Sequence, residues 1–179
     1  MKKTISLWQF AGFAVTSFAG TIFHFLYDWS GQNKFVALFS AVNESTWEHM
    51  KLFFFPAFLF ALVESRFLRK NVQNFWCVKW IGILSGLLLI PVLFYTYNGA
   101  IGTSPDFVNI AIFFISAAFA YWLETKLFQK ESLSCRSSLL PLTVLFLFAA
   151  LFVLFTFMPP QIPLFQDSRT LVYGIMKDK

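Results

Sequence analysis

Charged side chains are scarce in this sequence. Asp, Glu, Lys and Arg make up 13% of its 179 residues, whereas a water-soluble domain carries about 25%. Hydrophobic residues account for 58%, and 26 residues are phenylalanine, which is favourable in the middle of a membrane helix. This composition excludes a soluble globular domain. The length suits one compact helical bundle and leaves no room for a second domain.

Cysteine is equally rare, with two residues. Cys77 and Cys135 form no C-x-x-C pair and have no histidine nearby, so a structural zinc site of the usual Cys/His kind is not expected. The topology derived below places both on the cytoplasmic side, where a disulfide does not persist. We therefore expect two free thiols.

Several signature motifs of catalysis are missing as well. The sequence has no Gly-rich phosphate-binding loop, no G-x-S-x-G nucleophile motif and no H-E-x-x-H zinc motif. The net charge of +5 does not indicate nucleic-acid binding, because the basic residues flank the apolar segments instead of lining one polar surface. Any functional site must therefore come from scattered polar residues.

Five apolar segments are long enough to cross a bilayer as helices, which takes roughly 20 residues. The sequence thus predicts an all-α membrane protein, a compact bundle of about five transmembrane helices in a single domain. The start of the chain also resembles a signal peptide, but its apolar run continues through Leu26 and favours an uncleaved anchor. The predicted spans are 5–27, 47–67, 77–97, 107–127 and 139–158, followed by an extracytoplasmic tail at 159–179.

The distribution of Lys and Arg predicts the orientation of these spans. Basic residues concentrate in the cytoplasm for proteins of this class, so the more basic side should be internal. We expect a multi-pass protein of the cell membrane with a cytoplasmic N-terminus, although three basic residues of the tail argue mildly the other way. The predicted outer side carries Lys34 and Lys51. The predicted cytoplasmic side carries Lys2, Lys3, Arg66, Arg69, Lys70, Lys79, Lys126, Lys130 and Arg136.

Residues 35–45 open with an apolar stretch that is too short to cross a bilayer. Such a segment survives at membrane depth only where protein or a watery cavity satisfies its backbone. Two structures remain open, a re-entrant half-helix and an interfacial turn, both on the outer face.

The polar residues that stand out converge on the predicted outer face. Both histidines of the chain lie there, at either end of one connection, and ionisable groups near membrane depth are costly enough to indicate function. With two nearby carboxylates they form a set suited to zinc or another divalent metal, or to metal-free proton transfer. The predicted catalytic and metal-binding residues are His24, Asp28, Glu48 and His49, and the predicted ligand-binding residues are Asn43, Glu44, Lys51 and Asp167.

Structural roles explain some of these residues equally well. Ser45-x-x-Glu48 matches a capping box, in which both side chains satisfy free N–H groups at the start of a helix. At the cytoplasmic ends, Glu64 near Arg66 and Glu124 near a lysine have the pattern of ordinary interfacial charges.

Three stretches of the chain together resemble a family of small bacterial multi-spanning membrane proteins without assigned function. The resemblance covers nearly the whole chain and implies a compact bundle whose motif residues share one face, but it implies no reaction. The stretches are His24-x-x-x-Asp28-Trp29-Ser30-Gly31, Asn43-Glu44-Ser45-x-Trp47-Glu48-His49-x-Lys51, and the tail from Pro159-Pro160 to Tyr173-Gly174-Ile175.

Three functions remain open at this point. One is an enzyme acting on a lipid or lipid-linked substrate at the outer leaflet. Another is a transporter or binding protein for a small ligand, which would require this short chain to form a homo-oligomer. The third is an accessory subunit that docks a partner through its outer face. An enzyme should have a pocket that holds both histidines and opens to lipid, whereas a transporter should have polar residues continuing through the bundle.

Overall fold

The described part of the chain folds into five α-helices. The structure is a computed structural model, and it describes residues 2–72, 74–102, 105–130, 133, 135, 137 and 139–175. No β-strand occurs among these residues, and the predicted all-α bundle is confirmed. The helices are α1 (Lys2–Trp29), α2 (Thr46–Leu68), α3 (Phe75–Ile101), α4 (Asp106–Phe128) and α5 (Leu139–Phe157).

The helix α2 occupies the centre of the bundle. It packs against α1, α3 and α5, and more of its residues are buried than in any other helix. Four helices, α1, α3, α4 and α5, are long and apolar enough to cross a membrane. The sequence predicted five equivalent spans, and α2 departs from that pattern because it carries charged residues. Three of those charges, Glu48, Lys51 and Glu64, point into the bundle, whereas Arg66 in the last turn is exposed.

The start of α2 is capped by a side chain, as the sequence indicates. The Ser45 hydroxyl accepts a hydrogen bond from the Glu48 backbone N–H at 3.3 Å. The other half of the predicted capping box does not form, because the Glu48 carboxylate accepts from the Val42 N–H at 3.1 Å instead. The Ser45 N–H donates to the side chain of Asn43 at 2.9 Å. These bonds fix the path of the chain as it enters α2.

The segment at 35–45 is folded against the ends of α1 and α2. It contains one turn of 3-10 helix at Val36–Leu38, and both Ala37 and Ser40 are fully buried. The Ala41 N–H donates to the Phe23 carbonyl at 3.3 Å, so protein groups satisfy this backbone. That is the condition a re-entrant segment has to meet.

A buried ion pair joins this segment to α2 and α5. The Lys51 ammonium lies 2.5 Å from the Glu48 carboxylate and donates to the Ala37 carbonyl at 3.0 Å and to the Thr156 hydroxyl at 2.9 Å. Both charged side chains are almost completely shielded from solvent. Lys51 was predicted to bind a ligand and Glu48 to act in catalysis, and in the structure their contacts connect three parts of the bundle.

Two sequence-based expectations are wrong at the other end of the bundle, where α2 ends and α3 begins. Cys77 and Cys135 are joined in a disulfide, because the first turn of α3 lies beside the segment that follows α4. Their Cα atoms are 6.0 Å apart, which is within the range that a disulfide spans. Glu64 and Glu124 are not interfacial charges, since both are buried and pair with Lys79.

Replacing Lys51 with methionine should destabilise the protein by about 3–5 kcal/mol, because Glu48 would stay buried without its cation. The measurement is the unfolding midpoint of the purified protein in detergent. Lys34→Met removes an exposed lysine from the same region and should leave the midpoint near that of the wild type. Adding Glu48→Gln to Lys51→Met should restore much of the loss. An unchanged midpoint in Lys51→Met would show that the pair does not stabilise the bundle.

Candidate functional site

The two histidines meet at the end of the bundle where α1 finishes and α2 begins. His24 lies near the last turn of α1, and His49 lies in the first turn of α2. The connection between these helices folds back on itself, so the imidazole rings face each other edge to face with centroids 5.5 Å apart. Their predicted convergence is therefore found in the structure.

Glu44 joins the two histidines as a third polar group. One carboxylate oxygen lies 3.8 Å from His24 Nε2, and the other lies 3.5 Å from His49 Nε2. A set of three ligand atoms, one from each residue, lies within 4.8 Å of one another. The side chains are 20–30% exposed, so a ligand can reach them without unfolding the protein.

Hydrogen bonding fixes the tautomer of His49. Its Nδ1 lies 3.0 Å from the Ser45 carbonyl oxygen. A carbonyl can only accept, so Nδ1 carries the hydrogen, and in the neutral ring Nε2 is then an unprotonated acceptor. That acceptor faces a Glu44 carboxylate oxygen at 3.5 Å. Two acceptor atoms that face each other at this distance favour a proton or a bound cation between them.

The other residues predicted for this site lie elsewhere. Asp28 is exposed and is not part of the group formed by the histidines and Glu44. Glu48 and Lys51 point into the bundle and pair with each other. The position expected for Glu48 or Asp28 beside the histidines is therefore taken by Glu44. Helical spacing could not identify Glu44 as the third member, because it precedes the cap of α2 and is not helical.

The tail holds Glu44 in place. Asp167 is buried, and its carboxylate accepts the backbone N–H of Glu44 at 2.9 Å, of Arg169 at 2.8 Å and of Thr170 at 2.7 Å. Burial alone would raise the pKa of Asp167, but these hydrogen bonds outweigh it and hold the pKa below its usual value. Asn43 donates to the Gly174 carbonyl at 2.9 Å. Both residues, predicted to bind ligand, thus position the site.

A cavity of about 360 Å³ lies beside this cluster, between α1 and α4. Its walls are mostly apolar, and Phe25, Ile110 and Phe114 on its flank are substantially exposed. Polar residues stand at its rim, where Arg169 and Asp106 form an exposed ion pair at 2.8 Å that raises the pKa of Arg169. The lining residues are Gly20, Thr21, His24, Phe25, Glu44, His49, Leu52, Asp106, Asn109, Ile110, Phe113, Phe114 and Arg169.

The rim residues were missed in the sequence because they come from distant parts of the chain. Asp106 begins α4, whereas Arg169 lies in the tail, 63 residues later. A sequence pattern with that separation carries no signal. Only the return of the tail across this end of the bundle brings them together.

Comparison with known proteins places the chain in a family. The model of a family of unknown function, DUF6512, matches residues 1–175. The chain belongs to this family. No curated protein and no solved structure matches it.

Membership in DUF6512 confirms the resemblance to an uncharacterised family. It assigns no reaction, so the chemistry has to be inferred from the geometry of the site. In this DUF6512 protein the most specific stretch, Asn43 to His49, supplies two of the three clustered side chains. The cluster can hold one cation or one proton between an imidazole nitrogen and a carboxylate. The adjoining cavity offers an apolar surface next to that charge.

Replacing Asp167 with alanine should loosen the loop that carries Glu44. Three backbone N–H groups would lose a charged acceptor, and such hydrogen bonds are worth about 1.5–3 kcal/mol each. We expect the amides of Glu44, Arg169 and Thr170 to exchange hydrogen at least about tenfold faster, measured by exchange mass spectrometry. Asp28→Asn, at an exposed carboxylate, is the control and should leave these amides unchanged.

The same interaction predicts a pH dependence of the wild-type loop. Because the folded protein lowers the pKa of Asp167, its carboxylate stabilises the loop fully above the unfolded pKa of about 3.9. That contribution is lost as the pH falls through the lower, folded value. The protection factors of the three amides should therefore drop in acid in the wild type, whereas in Asp167→Ala they should lack this step.

Proposed function

We propose that this protein is a multi-pass protein of the cell membrane and a divalent-metal-dependent enzyme that acts on a lipid or lipid-linked substrate at the extracytoplasmic face. The observation that carries the proposal is the arrangement of His24, Glu44 and His49 on the wall of a largely apolar cavity. The same proposal identifies the metal as zinc or a similar divalent ion.

The donor set supports a metal. Two imidazoles and one carboxylate are a ligand set that catalytic zinc sites use, with a further coordination position left open. Metal-binding histidines usually donate their second ring N–H to a carbonyl or carboxylate, and His49 does so to the Ser45 carbonyl at 3.0 Å. A bound divalent ion supplies Lewis-acid chemistry, polarising a carbonyl or phosphoryl oxygen of a substrate.

The cavity supports a lipid substrate. Its volume of about 360 Å³ is within the range of small-molecule sites, about 300–1,000 Å³. Phe25 of α1 and the exposed apolar residues of α4 border it where an acyl or isoprenoid chain would enter from the bilayer. At the rim, Arg169 offers the fork of N–H donors that suits a phosphate or carboxylate headgroup.

The distribution of basic residues supports the orientation. The histidine cluster lies at the end of the bundle opposite to Arg66, in the last turn of α2, and to Arg69 and Lys70, which follow it. Since basic residues favour the cytoplasmic side, we place the cluster on the extracytoplasmic side, although the Cys77–Cys135 disulfide at the basic end is more typical of an oxidising compartment. An enzyme there would act on the outer leaflet.

The metal is tested on protein purified without a histidine tag or chelator. Metal analysis by mass spectrometry should find about one divalent ion per chain in the wild type. His24→Ala, His49→Ala and Glu44→Gln should each lose it, because each removes one ligand. Asp28→Asn is the matched control, since it removes a carboxylate one helical turn from His24 that lies outside the cluster, and it should keep the ion.

Two results would contradict this assignment. Metal-free wild-type protein that also fails to bind added zinc would leave a proton as the positive charge between His49 and Glu44. Loss of the ion in Asp28→Asn but not in Glu44→Gln would move the carboxylate ligand back to α1.

The enzymatic activity is tested on lipids. Wild-type protein in liposomes made from a total membrane lipid extract should convert one lipid class to a product seen by mass spectrometry. Glu44→Gln should lower that conversion at least about a hundredfold, and Asp28→Asn should not. If wild type and Glu44→Gln leave identical lipid profiles with zinc present, the lipid-enzyme proposal fails even where metal binding holds.

A further inference from the structure

A second polar cluster lies inside the bundle, far from the histidines. Lys79 of α3 lies 2.5 Å from the Glu64 carboxylate of α2 and 2.6 Å from the Glu124 carboxylate of α4. Gln9 of α1 donates to Glu64 at 2.6 Å. Four helices thus each contribute one polar side chain to a single point, which we call the Glu–Lys–Glu cluster.

The Glu–Lys–Glu cluster is shielded from solvent. Glu64 is 0% exposed, and Lys79 and Glu124 are 1% exposed. Aromatic rings surround the ammonium, with the centroids of Phe75, Tyr121 and Phe128 at 6.0, 5.2 and 5.9 Å from Nζ. Charge that is not balanced at such a place is costly, since neither water nor a distant counter-ion can screen it.

The charges of the cluster do not balance when every group is ionised. Two carboxylates face one ammonium, and no second cation is in contact with them among the residues the structure describes. Tyr121 also faces the cluster, but its hydroxyl is hydrogen-bonded to Thr16 at 2.7 Å and brings no positive charge. The helix α5 contains no titratable residue at all. An ionised cluster would therefore keep one excess negative charge in the apolar interior.

One acceptor in the cluster is poorly aligned with its donor. Glu64 Oε2 lies 2.5 Å from the Lys79 ammonium, but no described residue gives it a hydrogen bond of good geometry. Buried carboxylate oxygens are normally well satisfied. A hydrogen on one carboxyl group would remove the excess charge and one poorly aligned acceptor.

We propose that the Glu–Lys–Glu cluster is a proton-binding site that holds one exchangeable proton, shared between Glu64 and Glu124, beside a charged Lys79. Gly82 of α3 makes room for this arrangement, because a Cβ at that position would overlap the Glu124 side chain. The site is separate from the histidine cluster. Gln9 and His24 are 15 residues apart on α1, which corresponds to about 22 Å along the helix.

A cavity at the basic end of the bundle lies near the cluster. It measures about 330 Å³ and is bordered by Ile5 and Leu68, along with residues that include Asn71. Ile5 lies one helical turn from Gln9, and Leu68 lies one turn from Glu64, so each is about 6 Å along its helix from the cluster. We expect the proton to exchange with water by this route.

Infrared spectroscopy of the purified protein at neutral pH tests the proposal, because a protonated carboxyl group has its own C=O band. The wild type should show a band worth one group, and transfer into heavy water should shift it. Glu64→Gln and Glu124→Gln should each abolish it, because either change leaves one carboxylate against one ammonium. Lys79→Met should double the band, since both carboxyl groups then have to be neutral.

Glu48→Gln is the matched control, because Glu48 is equally buried but pairs one-to-one with Lys51. It should leave the band unchanged. The proposal is overturned if the wild type lacks the band, if the band does not shift in heavy water, or if it persists in both Glu64→Gln and Glu124→Gln. The wild-type spectrum alone can decide against it, so the test does not depend on whether a variant folds.

Discussion

The pairing of charges inside an apolar bundle is the constraint on which the rest of the structure depends. The helix α2 carries Glu48, Lys51 and Glu64 inward, and each has to find an opposite charge on the same or a neighbouring helix. Near its start Glu48 pairs with Lys51, and near its end Glu64 pairs with Lys79 of α3. Because breaking a buried pair costs several kcal/mol, the Glu64–Lys79 contact favours α3 as a neighbour of α2.

The candidate metal site is a consequence of that arrangement. Glu48 accepts from the Val42 backbone and Lys51 donates to the Ala37 carbonyl, so the buried pair sets the path of the connection that carries Glu44. Asp167 then holds the Glu44 backbone from the other side. Glu48, Lys51 and Asp167, which the sequence suggested as site residues, thus hold the connection in place. The carboxylate beside the histidines is that of Glu44, which this connection positions.

The sequence predicts what local apolarity and short spacing determine. Helix positions follow from the apolar runs, and the two histidines converge because they flank one connection. Contacts between distant helices could not be predicted from the sequence. Lys79 is as compatible with an interfacial position as with a buried pairing to Glu64 of α2 or Glu124 of α4. The Cys77–Cys135 disulfide was also missed. The topology argument placed both cysteines in the cytoplasm, and the sequence does not show that α3 lies beside the segment after α4.

The central position of α2 has a consequence for how the protein is made. On its own this helix partitions weakly into lipid, because its ionised side chains oppose insertion. Glu64 leaves the ribosome first, its counter-charge Lys79 follows 15 residues later, and a hairpin of the two helices brings opposite charges together. We therefore expect α2 to enter a membrane together with α3, so that a ribosome stalled between them would leave a nascent chain that does not settle in the bilayer.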